Sequence, residues 1–396
     1  MTGTSGGRTR QAVELMLRFA ERTGLTAGGP QRRYLWTDAF ATCNFLGLWH
    51  ATGEARYREL ALALVDRVHH TLGMHRADDS RQGWLSGLGG EQGEAHPTCG
   101  GLRIGKRLPE RRPGEPLDER LEWDRDGQYF HYLTKWMHAL DQVTRATGYA
   151  TFNQWARELA AVAHRAFTYE PRRDGGKRMH WKVSIDLTRP LIASMGQHDP
   201  LDGLVTCWQV DATALGREGD AEPSLAAATN DFSAMLDRRA LATVDPLGLG
   251  GLLVDAYRVE QLLRQGVLAT DAGLLDGLLA AAAAGVQQYA GTSDLREPAE
   301  RRLAFSELGL AIGLAAVSAM ESAARSAPER FPGSPHARGM LGQLARYAPL
   351  GTAIEAFWLE PGHRRVTTWL EHEDINDVML ATSLVPEGFL VLRSPS

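Results

Sequence analysis

Carboxylates gather at the starts of several helical stretches in this 396-residue chain. They stand in Tyr34-Leu35-Trp36-Thr37-Asp38, Glu122-Trp123-Asp124-Arg125-Asp126, His198-Asp199-Pro200-Leu201-Asp202, Val244-Asp245-Pro246 and Glu371-His372-Glu373-Asp374. Two carboxyl groups at one site, one protonated and one ionised, can protonate a leaving oxygen while the other activates water or attacks carbon. Asp38, Asp126 and Asp202 are the candidates for such catalysis. Trp36, Trp123, Trp181, Trp208 and Trp369 offer flat faces for a sugar ring, whose hydroxyls would then reach the acids. The candidate binding set is Trp36, Asp124, Tyr129, Trp181, His198, Asp199, His372 and Glu373. Helix capping competes for the same acids. Asp199-Pro200 and Asp245-Pro246 are what a helix start demands, with Asp as cap and Pro in the first helical position. Asp202 could complete a capping arrangement with Asp199.

Other chemistries find less support. Gly100-Gly101-Leu102-Arg103-Ile104-Gly105-Lys106 satisfies part of a phosphate-binding loop, but Arg107 stands where Ser or Thr would hold magnesium, and no strand precedes it. Asp124-Arg125-Asp126-Gly127 opens like a calcium loop, yet Lys135 occupies the position of the closing Glu. His96 and Cys99 have a ligand spacing without a second close pair to complete a zinc site, so no metal and no cofactor are expected.

The elements that would position these residues are helices. Apolar residues recur at spacings of three and four almost throughout, as in Tyr129, Tyr132, Leu133, Trp136, Met137 and Leu140. The phrase Ala51-Thr52-Gly53-Glu54-Ala55-Arg56-Tyr57 returns as Ala146-Thr147-Gly148-Tyr149-Ala150-Thr151-Phe152, each time between two amphipathic stretches. Its Gly ends one helix in the left-handed conformation, and the next begins within a few residues, which makes a helical hairpin. His69 and His164 fall at equivalent places in the two following helices. Helices are predicted over about 9–23, 55–73, 151–168, 225–240, 271–290 and 337–357 as an outer layer. Their inner partners are about 35–51, 127–147, 201–215, 246–265, 303–325 and 372–384. Segment 180–193 reads as extended. No linker divides the chain, so residues 1–396 are expected to form one domain. Residues 74–123 make a long, glycine-rich insertion, expected as a lid over the inner-helix N-termini or as a structural cover.

Six hairpins with a repeated Thr-Gly turn followed by an aromatic residue resemble the six-hairpin glycosidase superfamily. Its members are all-α (α/α)6 toroids and include the N-acylglucosamine 2-epimerase group. The resemblance implies a substrate funnel at one end of the inner helices, lined by acidic and aromatic residues. A glycoside hydrolase acting on a small carbohydrate is the leading expectation. A sugar epimerase or isomerase is the alternative, with His198, His180 and His372 moving the proton and with His131 and His138 packing internally. A terpenoid or peptide-modifying toroid, or a binding scaffold, is the third.

Composition sets the outer bounds. The chain is 43% hydrophobic and 23% charged with a net charge of -5, an ordinary globular balance with no general attraction to nucleic acid or anionic membrane. The runs Leu274 to Val286 and Leu308 to Met320 are too short to span a bilayer. Cys43, Cys99 and Cys207 are odd in number and far apart, which fits a reducing compartment. With a polar N-terminus, a cytoplasmic protein is expected.

Overall fold

The computed structural model describes residues 2–26, 31–171, 176–214, 222–267, 272–293 and 295–394, with the backbone alone for 2–5 and 272. The all-α class holds, and the chain is a succession of helical hairpins. Within it the backbone gathers into two compact units. One comprises residues 1–19, 47–54 and 237–392, and the other 20–46, 55–236 and 393–396.

The repeated turn forms as its residues dictate. Gly53 and Gly148 take φ of +74° and +76°, where a Cβ would be strained. In both copies the Thr before the Gly donates its hydroxyl to the carbonyl four residues back, Thr52 to Leu48 and Thr147 to Val143. The same oxygen accepts the N–H two residues on, from Glu54 and from Tyr149. One hydroxyl thus satisfies an orphan carbonyl at the helix end and an orphan N–H beyond it.

In the second unit the helix Phe130–Thr147 is central. It packs on Ala150–Phe167, Asp199–Ala214 and Ala55–Leu72, while Ala226–Met235 covers Asp199–Ala214. Phe130, Phe167 and Phe232 meet edge to face or tilted at 5.5–5.6 Å and fill the space between these helices. The extended reading of 180–193 also holds. Lys182–Val183 pairs antiparallel with Gln128–Tyr129 on one side and Pro190–Ile192 on the other. The predicted 127–147 helix therefore begins at Phe130, after a strand that the sequence pattern did not separate from it. The 225–240 helix is shorter than expected, Ala226–Met235.

In the first unit Pro246–Arg264, Ala304–Ser326 and Glu373–Leu384 form an inner layer against Ala272–Thr292, Pro335–Ala345 and Ala348–Leu359. Gly250 lets two inner helices meet at backbone distance, since a Cβ there would lie 2.1 Å from the Gly309 carbonyl oxygen. The predicted 337–357 helix is broken at Arg346 and Tyr347, because Pro349 supplies no N–H and fits only a first turn. Asp245 caps Pro246–Arg264 by accepting from Gly248 N at 2.6 Å, as its Asp-Pro sequence predicts. Ala304–Ser326 is longer than its apolar run and passes the length and hydropathy test for a membrane span, but 72% of that window is buried within the protein.

Candidate functional site

The N-terminal end of Phe130–Thr147 carries a dense group of aromatic and ionisable side chains. The strand Gln128–Tyr129 delivers it, and Gln128 fixes that strand. The Gln128 amide accepts from Leu102 N and donates to the Gly100 and Ile185 carbonyls, tying the insertion to the helix start. Lys182, fully buried, donates to the Glu122 carboxylate, the Glu122 carbonyl and the Arg125 carbonyl, each at 2.8 Å. Its ammonium lies 5.3 Å from the Tyr129 ring centroid.

Around Tyr129 the rings form a nest. His131 lies near-parallel to Tyr129 at 5.4 Å and to Trp181 at 5.9 Å. Tyr132 meets His131 edge-on at 4.8 Å and shares a 2.6 Å hydroxyl contact with Tyr34. Exposed Trp123 meets Trp181 edge-on at 5.3 Å. Trp181 donates its indole N–H to His131 Nδ1 at 3.1 Å. Nδ1 is therefore an acceptor, and the neutral ring carries its proton on Nε2. Burial, with a smaller effect from the Lys135 charge, pulls the His131 pKa down to about 4, so the ring is neutral at physiological pH. The Tyr129 hydroxyl is buried and has no hydrogen-bond partner among the described residues.

Helical spacing brings the charges beside these rings. His131, Thr134 and Lys135 share one face at i, i+3 and i+4. Thr134 and Lys135 both donate to Asp202 Oδ2, the ammonium at 2.7 Å. Asp199 precedes Asp202 by three residues on the first turn of Asp199–Ala214, with its Oδ2 accepting from Gly196 N at 3.0 Å. Burial, then the Asp202 charge, raises the Asp199 pKa to about 7. An imidazole that stays neutral and a carboxyl that titrates near neutrality thus both feel one Lys135–Asp202 ion pair. That combination suits proton transfer.

Of the acids expected to do catalysis, Asp202 lies in this cluster, where its carboxylate accepts from Thr134 and Lys135 on another helix. The Asp199 carboxylate accepts from Gly196 N in the loop before the helix. Asp38 and Asp126 belong to the same unit, and Asp38 bonds the backbone of Tyr34, whose hydroxyl meets Tyr132. Asp126 is fully buried and accepts from Arg103, Arg76 and the backbone N–H of Gly105, Lys106 and Gly127, a geometry that fits a clasp for the insertion. Asp38 accepts from Arg33 and from Tyr34 N, which fits a cap for the helix Leu35–Thr52. Trp36 is buried and tilted against Phe40 at 4.5 Å, and Asp124 is exposed. Tyr129 and Trp181 are in the nest. His198 is half-buried, and its carbonyl accepts from Asp202 N. His372 and Glu373 belong to the other unit, at the start of Glu373–Leu384, where His372 meets Phe305 edge-on. His180 stacks on Tyr169 at 4.2 Å.

Tyr34, His131, Tyr132, Thr134 and Lys135 complete the cluster; the sequence pattern puts Tyr132 on an apolar stripe and His131 in internal packing, and makes none of the five a site residue. The signal for them was an ionisable His-x-x-x-Lys pair on the face of an otherwise apolar inner helix. Among the described residues, one further group could hold a metal ion: ligand atoms of His96, Cys99 and Glu158 lie within 4.8 Å of one another.

No protein-family model matches the chain, and no curated protein does. Among solved structures, the cellobiose 2-epimerase of Spirochaeta thermophila is similar at 12% sequence identity and a TM-score of 0.46, over 89% of this chain and 86% of that one.

Proposed function

We propose that the chain is a carbohydrate-active enzyme that moves a proton at the carbon beside a sugar carbonyl, as an epimerase or isomerase does. The observation that supports this reading is the pairing of neutral His131 with near-neutral Asp199 about the Lys135–Asp202 ion pair. Ionised Asp199 takes the proton from carbon 2 of an open-chain sugar. The C–H electron pair becomes the C=C bond of an enediolate, and the carbonyl pair moves onto oxygen. His131 donates its Nε2–H to that oxygen, a role that only a neutral ring in this tautomer fills without carrying its own charge into the site. Asp199 returns the proton to carbon 2 after the enediolate turns its other face, which gives the epimer, or to carbon 1, with the carbon-2 hydroxyl proton passing by way of His131 Nε2 to the carbon-1 oxygen, which gives the isomer. The nest of Tyr129, Trp181 and Tyr132 supplies faces for the sugar, and the orphan Tyr129 hydroxyl supplies a donor for one of its oxygens.

Hydrolysis is the second reading, favoured by the presence on one helical turn of Asp199, with its raised pKa, and Asp202, held in an ion pair. Asp199 and Asp202 leave one helix turn together, however, whereas hydrolysis needs its two carboxyls flanking the scissile bond. Asp202 is also already held by Lys135 and Thr134.

Asp199→Asn tests the proposal. On a panel of free aldoses, ketoses and short glycosides, the native chain interconverts carbon-2 epimers or aldose and ketose. The variant loses roughly 10²–10⁴-fold in kcat/KM, the usual contribution of a positioned acid–base group, while remaining folded. Cleavage of glycosides without any carbon-2 chemistry would support the hydrolase instead.

A further inference from the structure

We propose that His96, Cys99 and Glu158 form a binding site for one zinc-class divalent metal ion, pinning the 74–123 insertion to the helix Ala150–Phe167. Sequence spacing displays only two of these ligands. The third comes from the neighbouring helix, with His96 Nδ1 at 2.7 Å from Glu158 Oε1 and all three ligand atoms within 4.8 Å of one another.

The loop that carries His96 and Cys99 is fixed on both sides of the ligands. Trp155 Nε1 donates to the Ala95 carbonyl, and Thr98 Oγ1 donates to the Trp155 carbonyl, each at 2.8 Å. Between them a tight turn, Cys99 N to His96 O and Gly101 N to Thr98 O, presents both side chains to the helix. Gly100 is required here, because a Cβ would lie 2.2 Å from Ser86 N. Glu158, buried, is oriented by Gln154 Nε2 at 3.1 Å, the outer-shell support that metal carboxylates commonly have.

The donors define the ion. One imidazole nitrogen, one thiolate and one carboxylate suit zinc or cobalt(II) and not calcium or magnesium. Thiolate and carboxylate together neutralise a divalent charge. Tetrahedral zinc holds its ligand atoms roughly 3.5 Å apart, so His96 Nδ1 and Glu158 Oε1, now at 2.7 Å, would part slightly around the ion. His96 keeps 41% of its side chain exposed, which leaves a path for the ion and a water in the fourth position.

The test is titration of the chelator-treated full chain with cobalt(II), followed by zinc competition. One equivalent per chain is expected, with a thiolate-to-cobalt charge-transfer band in the near ultraviolet. Cys99→Ser abolishes the band even though buried Cys43 and Cys207 remain. Glu158→Gln weakens binding by about tenfold or more. Should Glu158→Gln fail to fold, His96→Ala, altering a half-exposed residue, gives the same reading. Absence of saturable binding, or a band that survives Cys99→Ser, overturns the proposal.

Discussion

Asp199 and Asp202 show how two identical side chains three residues apart come to differ in chemistry. Asp202 receives an ammonium and a hydroxyl, whereas Asp199 receives one backbone N–H and faces the Asp202 charge. A general base with a pKa of about 7 gives kcat/KM that is half-maximal near pH 7 and levels off above about pH 8. His131, pulled to about 4, adds no second limb between pH 5 and 9. Because Asp202 raises the Asp199 pKa and Lys135 lowers it, Asp202→Asn shifts the limb towards acid and Lys135→Met shifts it towards base. A pH–rate profile for the two variants checks these opposite signs. Asp199 also enters the stability. Raised from about 3.9 when unfolded to about 7 when folded, it holds its proton more tightly in the native chain. Its contribution is therefore fullest below pH 4 and declines by up to about 4 kcal/mol as the pH rises to 7. Denaturant melts of Asp199→Asn lack that decline. The two acids were legible in the sequence because Asp-Pro-x-Asp marks a helix start. His131 and Lys135 were not, since an apolar helix face carrying a His reads first as packing, and only the partner helix shows what the face meets.

At the scale of elements, the insertion is held by buried charge. The Asp126 carboxylate gathers Arg103 and Arg76 together with three backbone N–H groups, so the strand before Phe130–Thr147 and the loop at 103–106 move as one piece. Removing one partner of a buried ion pair typically costs about 3–5 kcal/mol, because the other charge is left in place. Asp126→Ala is therefore expected to lose stability on that scale and to open the 74–123 segment to limited proteolysis. Equal protease resistance and an unchanged melt would contradict the clasp. The sequence pattern sets Asp126 at a helix start, whereas it precedes the strand Gln128–Tyr129, and its arginines lie 23 and 50 residues away, where no local spacing announces them. The hairpin turns were fully legible, because Thr-Gly at a helix end has few conformations open to it. The strand at Gln128–Tyr129 was not, since two residues are too few to display a period of two.

Over the whole molecule, repeated helical hairpins were read correctly from the turn and the apolar periodicity, because each rests on short-range rules. The gathering of residues 1–19 and 47–54 with 237–392 depends on contacts between distant parts of the chain, and neither linker nor change of composition marks it. The carbohydrate reading stays a proposal, and the mechanism proposed for it differs from the one expected. Spacing suggested paired acids on separate helices, whereas the proposal rests on one titrating acid, one neutral imidazole and a ring nest. The most direct measurement of this central claim is proton NMR in heavy water on free sugars and short glycosides incubated with the native chain and with Asp199→Asn. Deuterium entering at carbon 2 with the native chain, and lost in the variant, is the predicted result. New anomeric signals from cleaved glycosides with carbon 2 still fully protonated would contradict it.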